Sequence, residues 1–245
     1  MKARLYAVPA SHPSACVEAA LRVKGLDYRR VDLIPLLHKP RQRLRFGRPT
    51  VPGVVLDGER VVGSRAILRR LDELQAQPPL YPPGGPGRER VLEAERWGDE
   101  VLQDATRRIT YGGLRHHPAA LRSYLAGARL ALPAWALTLT RGPSIALGAR
   151  LNGADEETVR EDLRSLPGWL ELIDEWIAAG VLGGHEANAA DLQIGSSLRL
   201  LLTLSDLRPL FGERPGARLA QRHFPDFPGE IPAGSLPRRD RRWLE

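Results

Sequence analysis

The 245-residue chain has one cysteine, Cys16, so no internal disulfide can form. A lone thiol points to a reducing compartment, the cytoplasm. There is no run of about 18 uncharged apolar residues of the kind that spans a bilayer. The most apolar segment, "ALPAWALTLTRGPSIALGARL" (131–151), is broken by Pro133, Arg141, Gly142 and Pro143. The opening residues, Met1-Lys2-Ala3-Arg4, lead into a strand-like run too short for a signal-peptide core. Zinc-ligand spacing is missing: no Cys, Asp or second His follows His116-His117 at ligand distance, so no metal is expected. Aromatic interleaving and a recognition-helix motif are also missing, so nucleic acid is not expected as a partner.

What is present is basic charge, unevenly placed. Residues 1–76 hold 15 Lys/Arg against 7 Asp/Glu, and the remainder holds 21 against 22. "HKPRQRLRFGR" (38–48) alone has five basic residues and no acid. Such a stretch attracts anions, whether a lipid surface or a small acidic ligand, or else forms a solvated arginine-rich face.

Residues 4–8 read as a buried strand. From Ser14 to Lys24 the apolar positions Cys16, Val17, Ala20, Leu21 and Val23 recur at helical spacing, and Gly25 closes the helix. Tyr28 to Leu33 alternates as a second strand. "VPGVVLDGERVVG" (51–63) is a hairpin turning at Asp57-Gly58, and "SRAILRRLDELQA" (64–76) is an amphipathic helix capped by Ser64. The order is β-α-β, a basic irregular stretch, then β-β-α. A Pro/Gly-dense stretch, "QPPLYPPGGPGR" (77–88), marks a boundary. Helical patterns follow at 88–109, 118–132, 155–180 and 188–204, the last capped by Asn188 with Asp191. Six prolines between Pro209 and Pro237 predict an extended strap ending in a charged tail. The domains expected are 1–77, a linker over 78–88, an all-helical unit over 89–205, and the strap over 206–245.

An α/β unit of this order, a proline-rich linker and an all-α second domain resemble the cytosolic glutathione transferase superfamily, with its thioredoxin-like N-terminal domain. Four stretches carry the resemblance. Leu5-Tyr6 through Ser11 to "KGLDY" (24–28) matches the family's first strand, active-site loop and first helix. Val51-Pro52 is similar to its Val-Pro, whose proline is cis. "GSRAILRRLDE" (63–73) resembles its "ESxAIxxYLxE" element, and "NAADLQIGSSL" (188–198) its helical capping box. The proline-rich ending and "NAADLQI" also resemble the prostaglandin E synthase 2-like branch, which carries Cys-x-x-Cys where Ser11 and Ser14 stand here.

The resemblance implies that Ser11 is catalytic and stabilises the thiolate of glutathione, the co-substrate. A thiol of pKa about 8.5 is mostly protonated at neutral pH. Lowering it by about 2 units takes roughly 2.7 kcal/mol. One hydroxyl hydrogen bond to the charged sulfur supplies about 1.5–3 kcal/mol. Ser11 or Ser14 is alternatively a helix cap, a role compatible with activation. His12 is a candidate proton carrier or a solvated loop histidine. Cys16 falls on the buried side of its helix and reads as core. Val51 and Pro52 would present backbone to glutathione, and Ser64 would meet a carboxylate at a helix N-terminus. Arg65, Lys39 and Arg41 would neutralise carboxylates. Gly63 departs from the family's Glu or Gln at that position, which removes a contact to the γ-glutamyl end. Trp97, Tyr111, His116 and His117 are candidate walls for a second, electrophilic substrate.

The leading reading is a glutathione transferase-like enzyme attacking a small electrophile. The alternative is a non-catalytic glutathione transferase-fold module that binds a partner. A third reading, association with an anionic membrane surface, is opposed by Pro143. Two-fold dimers are implied by the resemblance.

Overall fold

A computed structural model describes residues 2–130 and 134–237. Residues 131–133, with Pro133, and the expected charged tail from 238 to 245 lie outside the described residues. The N-terminal unit is a four-stranded sheet of order β2-β1-β3-β4. Strand β1 (Ala3–Ala7) runs parallel to β2 (Tyr28–Asp32) and antiparallel to β3 (Gly53–Leu56), which pairs with β4 (Glu59–Val62). The central strands are covered on both faces and therefore read as nearly continuous apolar runs. The outer strands tolerate Arg29, Arg30, Glu59 and Arg60, all exposed. The hairpin turns where expected, with Asp57 at φ 45° and Gly58 at φ 99°.

Helix α1 (His12–Val23) carries Pro13 in its first turn, where no backbone donor is needed. The basic stretch is not irregular. It forms α2 (His38–Phe46), whose only fully covered side chain is Gln42, so no apolar periodicity announces it. Pro40 lies in the first turn, Gly47 at φ 75° ends the helix, and Gln42 Nε2 donates to the Thr50 carbonyl at 3.0 Å. The next helix, α3 (Ser64–Leu74), is capped by Gly63 at φ 93°, not by Ser64, which is its first helical residue.

Lys24, at the C-cap of α1, is buried. Its ammonium donates to Asp72 Oδ1 at 2.7 Å and to the carbonyls of Gln75 and Pro78 at 2.7 and 2.6 Å. Asp72 in turn accepts from the Leu80 N–H at 2.7 Å. This clamp joins α1, the end of α3 and the proline-rich connection.

Helix α4 (Gly85–Trp97), a π-turn over Gly98–Leu102 and α5 (Gln103–His116) follow one another without a break. The helix expected to run to 132 stops at α6 (Leu121–Tyr124), with Gly127 at φ 74° just beyond it. Helix α7 (Ala134–Leu151) continues through Pro143, whose exposed position leaves the unbonded carbonyl to water. Among the described residues no helix is long and apolar enough to cross a membrane. Helix α8 (Glu156–Ala178) is capped by Asp155. Helix α9 (Ala189–Leu201) has the expected capping box of Asn188 and Asp191 and is buried along almost its whole length. The strap is extended only in part. Residues 208–223 contain α10 (Arg208–Phe211) and α11 (Pro215–His223), with Pro209 and Pro215 in first turns, where proline is tolerated. From Phe224 to Pro237 the chain is non-helical, pinned by Asp206, which accepts the N–H groups of Gly234, Ser235 and Leu236.

Candidate active site

The end of β1 brings several of the singled-out residues together. Tyr6 pairs with Gly53, directly after the cis Val51–Pro52 bond, and the chain reaches Ser11 five residues later. The Gly63 N–H donates to the Pro52 carbonyl at 2.9 Å, which sets the start of α3, and thus Ser64, beside the same end of the sheet. Val51 lies outside the strand ladder, and its N–H and C=O make no hydrogen bond among the described residues. Helix α2 covers the site's flank. Phe46 packs edge-on to Tyr6 at 5.5 Å, and Arg45 sits 4.6 Å above the Tyr6 ring. Any side chain larger than hydrogen at Gly53 would strike Phe46. Lys39 is half-buried on α2 and Arg41 is exposed.

Ser11 is the N-cap of α1, and its oxygen accepts twice from one residue. Ser14 donates its N–H at 3.4 Å and its hydroxyl at 2.9 Å. With both acceptor positions engaged, the Ser11 O–H remains available to donate, and donation by Ser14 polarises it further. Capping and a donor role are thus combined in one hydroxyl.

His12 is not solvated. It is 3% exposed, its Nε2 has no partner, and burial and then the Arg107 charge hold its pKa well below the ordinary histidine value, partly offset by the Gln103 backbone. The imidazole is therefore neutral at neutral pH and faces α5. Cys16 is core, as its spacing indicates. Its thiol meets Gln193 Oε1 at 3.5 Å, and burial, then Glu95 and Asp99, push its pKa well up. The inert thiol belongs to a polar seam between α1, α3 and the later helices, which the sequence reading missed. Gln193 Nε2 donates to Gln103 Oε1 at 3.0 Å and to Asp99 Oδ1 at 3.3 Å. Arg65 turns to this seam, lying 3.6 Å from Glu95, 3.7 Å from Asp99 and 3.4 Å from Glu100. Tyr81 donates to Glu95 at 2.6 Å, and burial raises the Glu95 pKa. The signal in sequence was faint: a glutamine between Leu192 and Ile194 in α9.

Trp97, Tyr111 and His116 are not brought together. Trp97 and His116 are nineteen residues apart on a continuous helical path, about 28 Å at 1.5 Å per residue. Trp97 packs against Trp176 at 5.3 Å and Trp169 at 6.5 Å, and Tyr111 packs over Gly148 of α7. His116 and His117 are exposed. Among the described residues no cluster of metal-ligating side chains exists. A cavity of about 470 Å³ instead opens beside Ser11, between α1 (Ala15, Arg22) and the end of α11 with the segment that follows it (Arg222, Phe224, Phe227).

Residues 5–79 match the family model of the glutathione S-transferase N-terminal domain. The chain has the fold of the cytosolic glutathione transferase superfamily, a thioredoxin-like unit followed by helices. A comparison with curated protein sequences found no match. Among solved structures, the beta-etherase LigF from Sphingobium is 18% identical at a TM-score of 0.65, covering 92% of this chain and 96% of its own. A glutathione S-transferase from Sinorhizobium meliloti is 18% identical at 0.64, covering 91% and 88%. One from Methylobacterium radiotolerans, in complex with glutathione sulfonate, is 22% identical at 0.58, covering 98% and 99%. The narrower likeness to the prostaglandin E synthase 2-like branch rests on sequence alone.

Proposed function

We propose that the protein is a glutathione-dependent transferase in which Ser11 stabilises the glutathione thiolate for attack on a small electrophile. The observation that carries this reading is the Ser11 hydroxyl, doubly accepting from Ser14 and free to donate at the N-terminus of α1. Val51 would pair its free backbone groups with the tripeptide, and the buried Ser64 at the start of α3 would receive a carboxylate, with Lys39 adding charge. Arg65, engaged by three carboxylates, would orient α3. No metal takes part in this scheme, and assembly as a homodimer in the cytoplasm belongs to the same proposal.

A second reading, a binding module without catalysis, is favoured by Gly63, which offers no side chain to the γ-glutamyl end. Calorimetric titration of glutathione into wild type and Ser11→Ala, with thiolate absorbance on the same samples, separates the two. Binding in both with a thiolate signal only in wild type supports the transferase. No binding in wild type sinks it in favour of the module.

A further inference from the structure

The basic stretch at 38–48 carries five cationic side chains and no acid, and the candidate site occupies only one side of it. Helix α2 turns its other side outward. Leu37, the N-cap, and Leu44 stand at i and i+7 with Pro40 between them, so the three share one face. The two leucines are about 10 Å apart along the axis. Leu37 is 68% exposed, Leu44 is 90% exposed, and Pro40 is exposed with them. The opposite side holds the anchors, where Gln42 is buried and Phe46 packs on Tyr6.

Charge frames this crest. Lys39 is half-buried and Arg45 lies over the Tyr6 ring. Arg41, Arg43 and Arg48 are exposed, and none of them is in an ion pair among the described residues. The adjoining strand β4 adds the exposed Arg60, which donates to the Arg45 carbonyl at 3.3 Å. The one acid of that strand, Glu59, is bound by Arg70 of α3 at 2.8 Å. Single exposed leucines are ordinary on a protein surface. Two on one crest, ringed by unpaired arginines, make a surface complementary to something both apolar and anionic.

The shape of the crest selects among anionic partners. A helical or extended peptide is held where its apolar side chains enter a groove. Here the leucines project from a convex helix, and Leu44 stands almost wholly in solvent. A bilayer needs that geometry: apolar side chains reaching past the backbone into the acyl boundary, with basic residues at headgroup level. Arginine stems can lie along the apolar layer while their guanidinium groups reach the lipid phosphates.

We propose that α2 docks the protein on an anionic lipid bilayer, with Leu37 and Leu44 entering the interface and Arg41, Arg43 and Arg48 meeting the headgroups. Docking of this kind needs α2 alone, asks nothing of α7, and holds with or without the transferase reading.

The test mixes the full chain with sucrose-loaded vesicles of phosphatidylcholine, with or without phosphatidylserine, and reads the bound fraction by sedimentation. Wild type should partition about tenfold or more in favour of the anionic vesicles. Raising the salt to about 1 M, where the Debye length falls to about 3 Å, should weaken that partition. Arg43→Gln together with Arg48→Gln should weaken it by about fivefold per charge removed. Leu44→Gln keeps the charge and should weaken it by about fivefold through lost apolar burial. A polarity-sensitive fluorophore attached at Leu44→Cys should shift to the blue on anionic vesicles, because Cys16 is buried and does not take the label. The same label at Ser165→Cys, exposed on α8, should not shift. Equal partition onto both vesicles, or none, overturns the proposal. So does binding that survives Leu44→Gln with no blue shift, since charge alone would then account for it. Tighter binding to polyglutamate than to the vesicles would make the crest a protein-docking site and overturn the proposal. A wild-type dimer that becomes a monomer in Leu44→Gln, by analytical ultracentrifugation without lipid, would overturn it in favour of a contact between copies.

Discussion

Replacing Lys24 by Met measures how firmly the two parts of the molecule are joined. The methionine side chain has nearly the same length and fills the same buried space, so the change removes charge and hydrogen bonds more than volume. In wild type three acceptors converge on one ammonium: Asp72 Oδ1, and the carbonyls of Gln75 and Pro78. The variant leaves the Asp72 carboxylate facing an apolar chain, with the Leu80 N–H as its one remaining partner among these groups, and strands two carbonyls. Breaking a buried ion pair from one side costs about 3–5 kcal/mol. Adding Asp72→Leu to the same chain removes the stranded charge, so the double variant should recover roughly half of that loss. Urea unfolding followed by tryptophan fluorescence and circular dichroism provides the assay, with coincidence of the two transitions checked first. With a slope of about 2–3 kcal/mol/M, the single variant should move the midpoint down by about 1–2 M. Trypsin cleavage at Arg88, in the first turn of α4 just after the connection, should accelerate in parallel. A loss under 1 kcal/mol, or a double variant no better than the single one, would refute the view that the ammonium is a structural clamp.

Ser14→Ala removes the hydroxyl donor to Ser11 without touching Ser11 itself. On the transferase reading it should raise the pKa of bound glutathione by a few tenths of a unit, against about 1–2 units for Ser11→Ala, read by thiolate absorbance across pH. His12 has a depressed pKa in the folded protein, so the unfolded chain takes up its proton first. Stability from this group is full above pH 6.5 and falls as pH drops below it, as it does for His38 and His223, also lowered by burial. Urea midpoints measured from pH 7.5 to 5 should fall less steeply in His12→Gln; identical slopes would show that its burial has no titration consequence. Gly229, at φ 110°, would place an added Cβ 2.2 Å from the Tyr124 ring. Gly229→Ala should cost about 2–4 kcal/mol from backbone strain and overpacking, seen as a lowered melting temperature; no change would show that this segment does not pack on α6.

How much was legible before the structure depended on whether burial left a period in the sequence. The hairpin at Asp57-Gly58 and the capping box at Asn188 were readable because both are local chemistry: a turn needing positive φ, and a side chain satisfying its own helix end. Helix α2 was not, because it is anchored by Gln42 and Phe46 over a surface otherwise left to solvent, so no apolar stripe exists to count. Prolines misled in the last forty residues for the opposite reason. Pro209 and Pro215 begin helices, and only spatial context tells a first-turn proline from one in an extended segment. At the site, the Ser11 loop was visible as a strand followed by a cap, whereas the partner that sets its hydroxyl, Ser14, was weighed as a rival cap and not as a donor. Trp97 was only a candidate pocket wall, since an aromatic on an amphipathic helix looks the same whether its neighbour is a ligand or, as with Trp169 and Trp176, another tryptophan. The cavity beside Ser11 is built from α1 and residues more than two hundred positions later, with no motif in either half. Local rules therefore locate the hydroxyl that caps α1, while the shape of the space beside it is decided by where the last segment returns, and long-range placement of that kind leaves no spacing to read.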